Sequence, residues 1–204
     1  MMTDAAVAVG TAQLQNAYAS TKAQLATTKS RIDWNDFNYP PMFRFFHFSL
    51  SELREPHLPI VKRLWLINML QTLHFFFNLF NCIVQSAMGL GIVRSISSPL
   101  WFIFLSAVST YGFYSGYRGI CENSTLLMRY KICCGVMLLL HLIMLIPDAL
   151  CFNGIIRLSN LFSGNYAFPG VLCIIESLYI LGLEGFTVMI FLQVLKWSHP
   201  PVNY

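Results

Sequence analysis

Five ionisable side chains lie in or at the edge of long apolar stretches: His74, His141 and Glu184 near their middles, and Asp148 and Glu176 nearer one end. Imidazoles and carboxylates at one depth could relay a proton, hold an ion or metal, or hydrogen-bond to one another, which is what buried polar groups in membranes mostly do. An ionisable group at mid-bilayer costs about 2.5–3.5 kcal/mol on insertion scales, so each must face protein or a water-filled cavity. Gln71, His74, Asn78, Asn81 and Gln85 follow one another at spacings of 3, 4, 3 and 4. Those spacings put all five on one stripe of a helix. Interhelical hydrogen bonds of this kind average about 0.6 kcal/mol each, so the stripe reads first as a packing and orientation device. The expectation is therefore an intramembrane network of Gln71, His74, Asn78, Asn81, His141, Asp148, Glu176 and Glu184. The competing reading is a vestibule, open to the lumen, that moves protons or an ion, or holds a metal on His74, His141 and Glu184.

Such residues need helices that cross a bilayer. Only 22 of the 204 residues are charged, or 11%, where soluble domains carry about 25%. Twelve of those charges lie in residues 1–63, leaving ten for the remaining 141 residues. Too few remain to cover a water-facing globule of that size. A hydrocarbon core about 30 Å thick needs about 20 apolar residues in helix. Four runs qualify, at about residues 64–85, 99–117, 132–152 and 170–195. Pro99 stands where a helix start tolerates proline. The fold class expected is all-α: a polytopic integral membrane protein with four transmembrane helices and a cytoplasmic N-terminal tail. Its parts would be a tail over 1–63, a four-helix domain over 64–197 and a short tail over 198–204. Gly182 and Gly185, beside Glu184, suggest close helix approach. Disorder, coiled coils, secreted disulfide scaffolds and nucleic-acid partners are disfavoured, the last because a net charge of +4 is too small and dispersed to track phosphates.

Lys and Arg near the span ends set the orientation. Arg54, Lys62, Arg63, Arg118, Arg129, Lys131 and Lys196 fall on one side, against Arg94 and Arg157 on the other. Both termini are thus expected in the cytoplasm, with 86–98 and 153–169 facing the lumen or exterior. The sequon Asn123-Ser-Thr125 then falls on the cytoplasmic side. Residues 1–63 hold no apolar run long enough for a signal peptide. Within the first 30 residues, Leu14, Tyr18 and Leu25 recur at spacings of four and seven, a weak amphipathic helix.

Cys121, Cys133 and Cys134 are juxtamembrane thiols and candidates for palmitoylation. Cys82, Cys151 and Cys173 fall near the opposite ends of the spans. In an oxidising lumen a Cys151–Cys173 bridge is geometrically feasible, with buried free thiols the default. The cysteine spacing carries no metal motif, and no nucleotide, nucleophile-elbow or zinc-protease signature occurs, so no metal, cofactor or catalytic residue is assigned.

The order of several segments resembles the secretory carrier membrane protein (SCAMP) family. Asn38-Tyr-Pro-Pro41 precedes an aromatic run (Phe43, Phe45, Phe46, Phe48), then Glu55-Pro56 and Lys62-Arg63-Leu-Trp65. Phe76-Phe-Asn-Leu-Phe80 with Cys82 resembles that family's first span, Pro99-Leu-Trp-Phe102 the start of its second, and Gly182-Leu-Glu-Gly185 with Phe191-Leu-Gln-Val194 its last. Tyr114 to Arg118 occupies the place of its cytoplasmic segment between spans two and three. The resemblance covers about residues 35–197. It implies a four-span, non-enzymatic protein of Golgi, endosomal and recycling carriers, acting in vesicle trafficking, with a middle segment associated with acidic phosphoinositides. The chain departs from the pattern in lacking Asn-Pro-Phe repeats and the Arg-Pro pair of that segment. Arg118, Arg129 and Lys131 are the expected contacts to anionic phospholipids, at about 1 kcal/mol each. The segment from Asn38 to Pro59 is expected to lie along the cytoplasmic interface.

The function expected is therefore trafficking by scaffolding, with the bilayer and other membrane proteins as partners. The missing adaptor repeats and short tail also suit an accessory subunit of a large complex, such as a mitochondrial respiratory or ATP synthase assembly. The mid-membrane titratable groups alone suggest a small proton or ion transporter.

Overall fold

The computed structural model describes residues 32–53, 56–122, 124–146, 148 and 151–197. The amphipathic pattern of the first 30 residues, Asn123 and the tail 198–204 lie outside them. The chain divides into two compact units, residues 1–54 and 55–204.

In the first unit Tyr39 and Phe46 pair in an isolated antiparallel bridge, closed by a turn in which Phe43 and Arg44 donate to the Pro40 carbonyl at 3.0 and 2.8 Å. Arg44 sits at φ +51°, and the Tyr39–Pro40 peptide is cis. His47 is buried beneath the bridge, with Nε2 3.0 Å from Glu52 Oε2 and Nδ1 3.0 Å from the Asp36 carbonyl. Phe43 and Phe45 stack on each other at 5.7 Å and remain exposed.

Among the described residues the second unit holds five helices: α1 His57–Ala87, α2 Val93–Cys121, α3 Ser124–Leu145, α4 Ile155–Ser163 and α5 Ala167–Leu195. α1, α2, α5 and the Thr125–Leu145 part of α3 are long and apolar enough to cross a membrane. They form an antiparallel bundle in which α1 and α3 each pack between α2 and α5, and α4 lies on α5. The pattern is inverted relative to a soluble bundle. α1 buries Asn68, Gln71, His74, Asn78, Asn81 and Gln85 while Leu73, Phe76, Phe80 and Ile83 face outward. Lipid solvates the apolar face at no penalty, and the interior is where the amides find partners.

Several boundaries differ from the sequence expectation: α1 begins at His57 rather than about residue 64, α2 ends at Cys121 rather than about 117, and α3 begins at Ser124 rather than about 132, each helix running on past its apolar stretch. Helix α2 begins at Val93 rather than Pro99, which is retained inside it. Proline there removes one backbone bond, and the first turn is held instead by Ser95 and Ser97 hydroxyls that donate to Ile92 and Val93 carbonyls at 2.8 and 2.9 Å. Helix α3 ends at Leu145 rather than Phe152, because Pro147 disfavours helical backbone at Ile146 and offers no N–H of its own. Asp148 and Cys151 therefore leave the third span and join an irregular segment. The stretch expected as an exterior loop over 153–169 contains α4, whose start follows the extended Gly154. A side chain at Gly154 would lie 2.6 Å from the Ile146 backbone, so only glycine lets this segment fold back on the end of α3.

Candidate functional site

Residues 151–153 are non-helical yet buried at the end of the bundle where α1 turns into α2. Irregular backbone at such a place needs its polar groups met by protein. Asn78 Nδ2 and Cys82 Sγ both donate to the Cys151 carbonyl at 3.1 Å, and Arg94 Nη1 donates to the Phe152 carbonyl at 3.3 Å.

Beneath the segment lies Glu176 of α5, wholly enclosed. Asn78 Nδ2 donates to its Oε1 at 2.6 Å; Asn81 Nδ2 and Asn153 Nδ2 donate to its Oε2 at 2.7 and 3.0 Å. Both carboxyl oxygens act only as acceptors, the pattern of an ionised carboxylate. The amide directions are set from outside. Arg157 Nε, a group that can only donate, reaches Gln85 Oε1 at 2.8 Å. Gln85 must then turn Nε2 inward, donating to Asn81 Oδ1 at 3.1 Å and Asn153 Oδ1 at 2.8 Å. That leaves the Asn81 and Asn153 nitrogens for Glu176. Asp148 sits between the two arginines: Arg94 Nη2 donates to it, Arg157 Nη1 is 3.5 Å away, and Asn160 Nδ2 donates at 2.9 Å. Two arginines and two carboxyl groups thus close this end of the bundle.

Further along the axis, His74 Nε2 is 3.9 Å from Glu176 Oε1. His74 and His141 meet edge to face across the bundle at 5.5 Å, and His141 Nδ1 is 2.6 Å from Glu184 Oε1. Tyr179 stacks on His74 and donates through its hydroxyl to the Leu70 carbonyl. One turn beyond, Ser109 Oγ lies 2.9 Å from Asn68 Oδ1 and 2.6 Å from Gln71 Oε1, which share its single proton. Those three residues, with Tyr130, Cys134 and Thr187, line a cavity of about 30 Å³, room for roughly one or two waters.

Of the eight residues expected as an intramembrane network, Asn78, Asn81, Glu176, His74, His141 and Glu184 are linked by these contacts into one polar seam. Asp148 reaches them through Arg94 and Asn153 from the irregular segment rather than from a helix, and Gln71 bonds separately to Ser109 of α2. The sequence reading did not assign Asn153 or Tyr179 to the seam, and treated Arg94 and Arg157 only as topology-setting charges. Two arginines and one aspartate flanking spans that hold almost no other charge were the available signal. Among the described residues no three His, Cys, Asp or Glu side chains are grouped to hold a metal. Cys82, Cys151 and Cys173 are buried free thiols; Cys173 accepts from Asn81 and Gln85 at 3.5 and 3.7 Å.

At the opposite end, Arg118 is engaged by Glu122 Oε2 at 3.0 Å and Tyr114 Oη at 2.8 Å, whereas Arg129 is exposed and Lys131 partly so. Cys121 and Cys133 are partly buried; Cys134 faces the interior. Gly182 and Gly185 do not mediate close packing within the chain: a Cβ at either would meet nothing within 4 Å.

An apolar exterior around four long helices, with every carboxylate of the spans turned inward, defines a polytopic integral membrane protein. The SCAMP family model matches residues 36–199, and the chain belongs to that family. Membership makes it a protein of membrane-trafficking type, from a family not known for enzymatic activity. No curated protein and no solved structure matches the chain.

Proposed function

We propose that the protein is a non-enzymatic scaffold of Golgi, endosomal or recycling-vesicle membranes, with both ends of its bundle sequence in the cytoplasm. The observation that carries this reading is a family match that spans all four long helices, joined to a buried carboxyl, Glu176, that takes the amide donors of Asn78, Asn81 and Asn153 within the chain. Hydrogen bonds of this kind between helices hold them in register and leave the outer surface for partners. In this orientation the α2–α3 turn faces the cytoplasm. Arg129 and Lys131 then supply attraction to anionic phospholipids at about 1 kcal/mol each, while Arg118 divides its charge with Glu122. Cys121 and Cys133 would be the thiols within reach of acylation. The test is the location of a tagged full-length chain at native expression: residence on Golgi, endosomal or recycling membranes supports the reading, and co-purification at fixed stoichiometry with a mitochondrial complex refutes it.

A further inference from the structure

The two mid-bundle imidazoles are built into a site that the scaffold does not require. His74 and His141 are both fully buried, and neither ring nitrogen of His74, nor Nε2 of His141, has a hydrogen-bond partner. Leaving such groups unmet in an apolar interior is unfavourable, and ordinary packing would place a leucine or phenylalanine there. Instead each imidazole has its own carboxylate from α5: Glu184 beside His141 Nδ1 at 2.6 Å and Glu176 beside His74 Nε2 at 3.9 Å. The two rings lie edge to face with centroids 5.5 Å apart. Two imidazolium charges at that spacing in a poorly solvated interior would repel strongly, so the pair accommodates one.

We propose that His74 and His141 together form a binding site for a single proton, with two alternative seats, one countered by Glu184 and the other by Glu176. The charged and titratable groups around the pair are Glu176, Tyr179 and Glu184 from α5, Cys134 from α3 beside Glu184, and Arg94 from α2 acting on Glu176. Near the rings α1 itself adds the neutral amides Gln71 and Asn78. The seats differ in consequence. On His141 the proton leaves Glu176 to its three amide donors. On His74 it draws on the same Oε1 that Asn78 holds, and Asn78 also holds the Cys151 carbonyl. Occupancy of the second seat thus loosens the irregular segment 151–153.

The test is nitrogen-15 NMR of the full-length chain, labelled at histidine and held in lipid nanodiscs, across pH 7.5 to 5.0, with the His74 and His141 rings told apart from those of His47, His57 and His199 by replacing each of these three with asparagine. Ring shifts distinguish neutral imidazole from imidazolium. The expected result is one charged ring of the two, with the charge transferred to His74 in Glu184→Gln. Two neutral rings, two charged rings at any pH in the range, or a charge that stays on His141 in Glu184→Gln would each overturn the proposal. The count in the native chain decides the matter even where the variant fails to fold.

Discussion

Arg157 Nε donates to Gln85 Oε1 at 2.8 Å, and through that bond the position of one cation on α4 dictates which way the amides of Gln85, Asn81 and Asn153 point. Carboxamides are symmetrical enough in shape to flip; a donor-only neighbour removes the choice. The result is a relay of N–H groups running from the bundle end to Glu176, and helix α4, of which only Leu161 is buried, contributes through its arginine.

Replacing Arg157 by lysine keeps the charge beside Asp148 and removes the forked donor. Hydrogen bonds to charged groups contribute roughly 1.5–3 kcal/mol, and a loss in that range is expected for Arg157→Lys in reversible unfolding in detergent. Stability unchanged within about 0.5 kcal/mol would show that the amides orient without it.

Glu176→Ala removes the acceptor of three buried N–H groups and leaves Arg94 and Arg157 with one carboxylate between them. A buried donor left without its acceptor costs about 1–3 kcal/mol. The variant should unfold at markedly lower denaturant. Normal stability would show that Glu176 is not the keystone of the seam.

Glycines separate into two groups by what a methyl would meet. At Gly119 a Cβ would fall 2.4 Å from the Leu127 nitrogen, across the α2–α3 turn, whereas at Gly182 it would meet nothing within 4 Å. Overpacking typically costs about 1–3 kcal/mol, so Gly119→Ala should lower the thermal midpoint clearly. Gly182→Ala should change stability by less than about 0.5 kcal/mol. Equal effects at both positions would contradict this packing.

Much of this is legible in the sequence, for physical reasons that differ by element. The stripe from Gln71 to Gln85 could be read because amides cannot face lipid, which ties their spacing to one helical face. The carboxylates could be placed by depth but not paired, since rotation between helices leaves no trace in a single sequence. Thus Glu176 with Asn78 and Glu184 with His141 emerge only from the packing. Asp148 was misplaced on a helix because the apolar run continues past Pro147, and hydropathy does not register a lost backbone donor. Helix α4 was missed although Ile155, Leu158, Leu161 and Phe162 recur at helical spacing with Gly154 before and Gly164 after. It is nine residues long, too short for a spanning-length search.

Orientation rests on the distribution of Lys and Arg and can be read by glycosylation. A sequon engineered into the turn between α1 and α2, at residues 88–92, should acquire glycan in cells, while Asn123 should acquire none. Glycan on Asn123 would invert the topology and place Arg129 and Lys131 away from cytoplasmic lipid.

On the proposed reading the polar seam holds the bundle together and binds charge without passing it across the membrane. Arg94, Asp148 and Arg157 close one end, and the Cys151 to Asn153 segment lies across it. The most direct measurement is proton flux in proteoliposomes containing the full-length chain, under a pH gradient and a membrane potential of either sign. The expected flux equals that of empty liposomes, for the native chain and for His74→Leu and Glu184→Gln alike. Flux above that background, abolished by either substitution in a correctly folded protein, would contradict a scaffold and identify the seam as a conduit.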